Sequence, residues 1–186
     1  FALMKIATWN VNSIRARLDN LYAWLKHHEP DVVCIQESKC MDHLFPWKEL
    51  ELLRYRAVYH GQSRYNGVAI LSRHPIEHVY KGFVDGAPTG QDPQARLIAA
   101  TVLDTRILSA YVPNGSEVGS KHFDYKLRWL RRLRDDYLDR LHTPEQPLLL
   151  CGDFNIAPSD LDVWNAALWK DSIITHEDAR RAFEHV

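Results

Sequence analysis

The first thirty-six residues constrain the fold more than any other stretch. Residues 5 to 9 are a short apolar segment ended by Asn10, Val11, Asn12 and Ser13, a largely polar break that suits departure from a strand. Apolar side chains then fall at Ile14, Leu18, Leu21 and Leu25, one face of an amphipathic helix, with Ser13 placed to cap its start and Pro30 beyond its end. Val32, Val33, Cys34, Ile35 and Gln36 form an unbroken run that suits a strand buried on both faces, and Glu37 follows it. A strand, a helix and a strand in this order pair in parallel through a right-handed crossover. The chain is therefore expected to be α/β, with both strand ends on one sheet edge, presenting Asn10 and Asn12 from the first and Glu37 from the second. A lone Glu at the start of a loop is more often merely solvated. The apolar run ahead of Glu37 argues for a site instead.

The pattern returns at Leu148-Leu149-Leu150-Cys151-Gly152-Asp153-Phe154-Asn155, a buried strand that delivers polar side chains at its carboxyl end. Asp153 and Asn155, at alternate positions, point to the same side if the extended backbone continues, and can hold a water between them. Asp153 would take its proton and Asn155 would orient it. A Gly-Asp-Phe-Asn turn explains the same residues equally well in isolation.

Between these regions, residues 55–59, 67–72, 97–103 and 106–112 read as strands, the last two joined by Asp104-Thr105 alone as an antiparallel hairpin. Residues 81–94, with three Gly and two Pro, read as a long surface loop. Tyr111-Val112-Pro113-Asn114-Gly115 closes the hairpin, where Tyr111 could hydrogen-bond a phosphate oxygen and Asn114 could steady a neighbouring group; an aromatic strand residue before an ordinary turn is the competing explanation. Phe123, Leu127, Leu130, Leu133, Tyr137 and Leu141 are spaced as the buried face of a helix. Lys126, Arg128, Arg131, Arg132 and Arg134 fall on its other faces with Asp135, Asp136 and Asp139, a solvated mixed-charge surface rather than a phosphate track. Thr175 to Asp178 resembles a helix start, and the stripe Ala179, Ala182, Phe183, Val186 still runs at the last residue.

With 186 residues, 46% hydrophobic and 25% charged, the chain has the composition of one globular domain with a substantial core. A net charge of -1 exerts no overall pull on nucleic acid or an anionic membrane, so any polyanion contact must come from a local cluster. No apolar stretch is long enough to span a bilayer and no signal-like segment opens the chain, which is read as soluble, cytoplasmic and monomeric. Cys34, Cys40 and Cys151 lack metal-binding spacing and are read as buried free thiols. The ten His residues form no HxH or HExxH pattern. Residues 1–3 are read as upstream additions to a domain covering residues 4–186.

The collected strand-end residues, Asn10, Asn12, Glu37, Tyr111, Asn114, Asp153 and Asn155, offer oxygen and amide groups without Cys or His. Hard ligands of this kind suit magnesium, with manganese as the substitute, and not zinc. Glu37 as the main metal carboxylate, with Asp153 reserved for water, fits hydrolysis of a phosphate ester.

The segments Trp9-Asn10-Val11-Asn12-Ser13-Ile14-Arg15-Ala16-Arg17, Ile35-Gln36-Glu37-Ser38-Lys39, Asn66 to Ser72, Tyr111 to Gly115 and Gly152 to Pro158 together resemble the exonuclease III family of abasic-site endonucleases, within the endonuclease/exonuclease/phosphatase superfamily. The resemblance implies a four-layer α/β sandwich, two packed mixed sheets flanked by helices, with the active site at one edge. It implies magnesium-dependent incision of duplex DNA 5′ to abasic sites, with 3′-end trimming, in base excision repair. It implies that Glu37 binds metal with Asn10 and Asn12 near it, that Tyr111 contacts the scissile phosphate, that Asn114 supports the phosphorane and that Asp153 with Asn155 handles water. Some relatives carry Asp where this chain has Asn12. The family's later Trp-Asp-Tyr-like segment and final Ser-Asp-His motif have no counterpart here, so the chain is expected to be an incomplete domain, weakly active or inactive as it stands. Another superfamily nuclease or phosphatase, or a non-catalytic DNA-binding fragment, are the alternatives.

Overall fold

In the computed structural model, which describes residues 3–83, 92–139, 143 and 145–186, the first two strands pair as their sequence requires. Strand β1 (Ile6–Asn10) runs parallel to β2 (Val32–Gln36), in register from Ile6 opposite Val32 to Asn10 opposite Gln36. Strands β3 (Arg56–His60) and β4 (Val68–Ser72) complete an antiparallel half, giving the order β1-β2-β4-β3. The second sheet has the order β5-β6-β7-β8, from β5 (Glu77–Lys81), β6 (Leu97–Val102), β7 (Thr105–Tyr111) and β8 (Leu148–Asp153). Its last pair, β7 with β8, is parallel and the others are antiparallel, so both sheets are mixed.

All eight strands belong to one compact unit, Phe1–Tyr111 with Thr143–Asp153. The continuous apolar runs are explained by what lies on each side of them. Val32, Cys34, Val68 and Ile70 pack against Ile98, Ala100, Val102 and Ile107, so the two sheets stack face to face. Val33, Ile35, Ala69 and Leu71 point the other way, onto Leu21 and Leu25 of helix α1 (Leu18–His28) and onto Ile14, Leu50 and Tyr55. Each of these large side chains contributes about 1.5–3 kcal/mol by leaving water, and burial on both faces removes the polar alternation of a half-exposed strand. Leu50 comes from the short helix α2 (Trp47–Glu51).

Several expectations need correction. Helix α1 starts at Leu18 and not at Ile14, and Ser13 does not cap it; the residue before the helix is Arg17, with no side-chain cap bond. The amides of Val11, Ser13 and Ile14 donate to the carbonyls of Gln36, Glu37 and Ser38 at 3.0, 2.7 and 3.1 Å, so the chain keeps pairing beyond β1 and the helix is delayed. The hairpin turn is Leu103-Asp104, one residue earlier than Asp104-Thr105, because Val102 pairs with Thr105. Both turn residues take positive φ, 47° and 65°, as in the turns that match strand twist. Strand β5 carries no apolar run because all its residues are exposed at the sheet edge, and it pairs with β6 through an irregular register. Of the anticipated loop over residues 81–94, residues 84–91 lie outside the described residues. All three cysteines are free: Cys34 and Cys40 are buried, and Cys151 is half-buried.

The turn supplies a first prediction. Leu103 is 55% exposed and gains little from burial, while a left-handed residue other than Gly or Asn is strained. Changing Leu103-Asp104 to Asn-Gly should stabilise the protein by about 1 kcal/mol, roughly 2–4 °C in Tm for a chain of this size. Thermal denaturation of the two proteins checks it.

The strand ends remote from those polar residues are fastened by Asp31, whose Oδ2 accepts from the Lys5 amide at 2.8 Å and whose Oδ1 lies 3.0 Å from His74 Nε2. The Lys5 amide bond first, and then His74, hold the Asp31 carboxyl below its ordinary pKa against a small opposing effect of burial. A carboxylate depressed in the folded state stabilises above its unfolded value of about 3.9, and that stabilisation disappears as pH falls through the lower folded value. Urea midpoints should therefore fall below about pH 4 in the parent, and the fall should be shallower in Asp31→Asn.

The second unit comprises Val112–His142 and Phe154–Val186. Its main helix, α3 (Lys121–Arg132), is capped by Ser120, whose Oγ accepts from the Phe123 amide at 3.2 Å. It continues into a wider turn at Leu133–Leu138, and its buried side chains include Phe123, Trp129, Leu130, Leu133 and Tyr137. Leu127 is only half-buried, and Leu141 lies outside the described residues. Lys126 is buried too, contrary to its expected place on a solvated face; its partners are described below. Short helix α4 (Ala166–Trp169) precedes α5 (Glu177–Glu184). The cap of α5 is His176 and not Thr175, whose hydroxyl instead donates to the Trp169 carbonyl. Helix α5 spans Glu177–Glu184, and the Val186 amide still donates to the Phe183 carbonyl at 3.0 Å. No helix among the described residues is long and apolar enough to cross a membrane.

Candidate active site

Register brings the polar strand ends together. Since Asn10 is level with Gln36 in one sheet and Tyr111 with Asp153 in the other, Asn10, Glu37, Tyr111 and Asp153 all stand at carboxyl ends within the first unit. Asn10 Nδ2 donates to Glu37 Oε1 and to Asp153 Oδ2, each at 2.8 Å. Two oxygens within 2.8 Å of one nitrogen lie no more than twice that, 5.6 Å, apart. Two carboxylates so close in a half-buried place repel each other unless a donor or a cation lies near, and here the amide is the donor.

Burial pushes the Glu37 carboxyl upward, but hydrogen bonds from Asn10, Lys39 and Tyr111 outweigh it and hold the pKa below the ordinary value. Its Oε2 lies 2.7 Å from Lys39 Nζ, which also donates to Asn12 Oδ1 at 2.5 Å. An ammonium thus bridges Glu37 and Asn12. The Asn12 amide donates to Asn10 Oδ1 at 3.0 Å, and Asn12, Glu37 and Lys39 all take positive φ, 44°, 54° and 50°. Non-glycine residues held in this region are strained, and such strain collects at functional sites.

Tyr111 donates its hydroxyl to Glu37; burial first, then that bond and the charges of Glu37 and Asp153, push its pKa well above the ordinary tyrosine value. The phenol therefore stays protonated and can donate. Its ring lies against the Arg96 guanidinium, 4.8 Å from the centroid, and Arg96 Nη1 donates to the Tyr111 carbonyl at 3.1 Å. Behind the site, Gln36 Nε2 donates to Thr8 Oγ1 at 3.0 Å and to Ser109 Oγ at 3.1 Å, and Ser109 Oγ donates to the Ile35 carbonyl at 3.1 Å. Gln36 and Ser109 are almost fully buried, so this polar link fixes one sheet against the other just below Glu37.

Asn114 and Asn155 belong to the second unit. Strand β8 ends at Asp153 and Asn155 takes φ 51°, so the argument from a continuing extended backbone does not hold. Asn155 Nδ2 donates to the Val112 carbonyl at 2.9 Å, and Asn114 Nδ2 donates to Asn155 Oδ1 at 3.4 Å. Lys126 Nζ donates to the carbonyls of Asn114, Asn155 and Ile173 at 3.3, 2.8 and 2.7 Å. Sequence reasoning missed Lys39, Arg96, Gln36, Ser109 and Lys126; only the polar end of the Val32–Gln36 run carried a signal, at Gln36.

The arrangement therefore offers paired carboxylates around one amide and a protonated phenol, and in the second unit two linked amides. Residues 7–179 match the Endonuclease/Exonuclease/phosphatase family. The chain is 36% identical over 167 residues to exodeoxyribonuclease III of Haemophilus influenzae, covering 86% of this chain and 60% of that protein. It thus spans less than two thirds of that relative's length. Among solved structures, an AP endonuclease from Archaeoglobus fulgidus superposes with a TM-score of 0.92 at 39% identity, covering 98% of this chain and 69% of the other. A 3′ phosphatase from Neisseria, solved bound to a product DNA hairpin, gives 0.91 at 37% identity, covering 98% and 70%. These likenesses confirm the α/β sandwich, and the chain belongs to the endonuclease/exonuclease/phosphatase family, in its exodeoxyribonuclease III and AP endonuclease branch.

Proposed function

We propose that this chain carries the site of a magnesium-dependent DNA phosphodiesterase that incises duplex DNA 5′ to abasic sites and trims 3′ ends. The observation that carries the reading is the Asn10 amide joined to both Glu37 and Asp153 at 2.8 Å. A carboxylate held beside a second carboxylate, with a cation already bound to the latter, suits one partner for proton transfer and the other for charge.

The family uses a divalent metal, and the residues present fit one. Glu37 and Asn12 offer hard oxygens that already hold the Lys39 ammonium, with Asn10 beside them. When bound there, magnesium, or manganese in its place, would polarise the phosphate and offset its developing charge. Asp153 accepts a proton from water as the water oxygen forms its bond to phosphorus. The bond from phosphorus to the 3′ oxygen of the preceding nucleotide breaks with its electron pair on that oxygen, which takes a proton from solvent while Asp153 returns its own to solvent, leaving a 3′-hydroxyl and an abasic residue with a 5′ phosphate. Tyr111 donates to a phosphate oxygen, Asn114 supports the phosphorane and Asn155 orients the water.

Abasic duplex DNA as substrate is supported by the likeness to the Archaeoglobus AP endonuclease. Likeness to the Neisseria 3′ phosphatase supports a 3′-terminal phosphate as a second substrate. The test is a panel of duplexes with an abasic analogue, a recessed 3′ end or a 3′ phosphate, beside an inositol phosphate, each with magnesium, manganese or EDTA. Metal-dependent cutting of the abasic duplex supports the proposal. Turnover of inositol phosphate alone would replace the proposed nuclease activity with a phosphatase activity, and DNA binding without turnover would make it a non-catalytic binder.

A further inference from the structure

Resting on the nuclease reading, we infer that Lys126 is a positioning residue that holds the backbones of Asn114 and Asn155 in place for the reaction. Its ammonium, fully buried on α3, donates to three carbonyls from three separate segments, those of Asn114, Asn155 and Ile173. Two of the three belong to the residues proposed to act on water and phosphorane. Both segments need holding: Asn155 has φ 51°, and Asn114 is followed by Gly115 and Ser116 at φ 97° and 55°. Such backbone persists only where its surroundings over-determine it. Bonds from a buried ammonium are stronger than neutral ones, and they fix where the two side chains start without touching the amide nitrogens.

The neighbourhood is shaped around the lysine. A side chain at Gly115 would meet Lys126 Cδ at 3.1 Å and Phe123 Cδ2 at 3.2 Å, so glycine there lets the loop close on the lysine stem. The third carbonyl ties in the chain after α4, and the neighbouring Ile174 carbonyl accepts from the Ala157 amide at 2.8 Å. Residues 172–175 therefore take part in fixing the segment that carries Asn155.

The test compares the parent with Lys126→Met and Lys126→Gln. Hydrogen exchange without DNA or metal should show protection lost in Lys126→Met at residues 112–116, 154–157 and 172–175, with the strands of the first unit unchanged. Single-turnover incision of abasic duplex with enzyme in excess should slow by on the order of 10²-fold, with Kd for the duplex in EDTA within about twofold. Lys126→Gln, which keeps two N–H donors, should recover part of both, and it decides the matter if the Met variant does not fold. Unchanged exchange in the three segments, or a rate loss with no exchange change, would overturn the inference. Turnover of inositol phosphate in place of DNA would overturn the nuclease reading instead, while localised loss of protection would still identify Lys126 as the residue that pins these loops.

Discussion

Replacing Asp153 by Asn should lower metal-dependent incision by on the order of 10²–10⁴, the range that a positioned proton acceptor supplies. The effect should fall on the rate, because the carboxamide of Asp153→Asn keeps an oxygen toward Asn10 Nδ2 and so preserves the link among the strand ends. Affinity for the duplex in EDTA should stay within about twofold, since the change removes an interaction made with water and not with DNA. Single-turnover rates and binding isotherms of the two proteins give both numbers. A rate within tenfold of the parent would remove Asp153 from the proton-transfer role.

Gly152→Ala should have the largest effect on stability. Gly152 pairs with Ala110 across the parallel strands β7 and β8, and a Cβ there would lie 2.0 Å from the Ala110 carbonyl oxygen and 2.9 Å from its carbon. The obstruction is backbone inside a paired sheet, so no flexible side chain can yield. Overpacking of this kind costs about 3 kcal/mol or more, roughly 6–12 °C in Tm. Thermal melting checks it. The Gly152 that reads as a turn former in the sequence is thus required for the close approach of two strands, one residue before Asp153.

The parts of the site that were legible in the sequence share a physical cause. Val32–Gln36 reads as a strand because it has apolar neighbours on its two faces, whereas Leu148–Asp153, expected to be buried, is half-buried throughout at its sheet edge and reads as a strand from its apolar run alone; a polar residue ending either run stands out. Asn10, Glu37, Tyr111 and Asp153 were legible for this reason. Lys126 was not, because a lysine among arginines on a helix looks like any solvated cation. The carbonyls brought to it by remote segments make its burial tolerable, and no local pattern encodes them. Arg96 under Tyr111, and Gln36 with Ser109, escape for the same reason: each contact joins residues far apart along the chain. The delayed start of α1 is a contest between a local cap and long-range strand pairing, which the pairing wins. Strand β5 has the opposite problem, since its residues are all exposed and its sequence is therefore without a run.

The central claim, that these strand ends form a metal-dependent phosphodiesterase site, is tested most directly on an end-labelled duplex carrying one tetrahydrofuran abasic analogue. That sugar cannot undergo elimination, so any cut is hydrolysis. With enzyme in excess and magnesium present, a single product should appear, ending in a 3′-hydroxyl immediately 5′ to the lesion, and EDTA should abolish it. Equal product in EDTA, or turnover of an inositol phosphate with the duplex left intact, would contradict the claim.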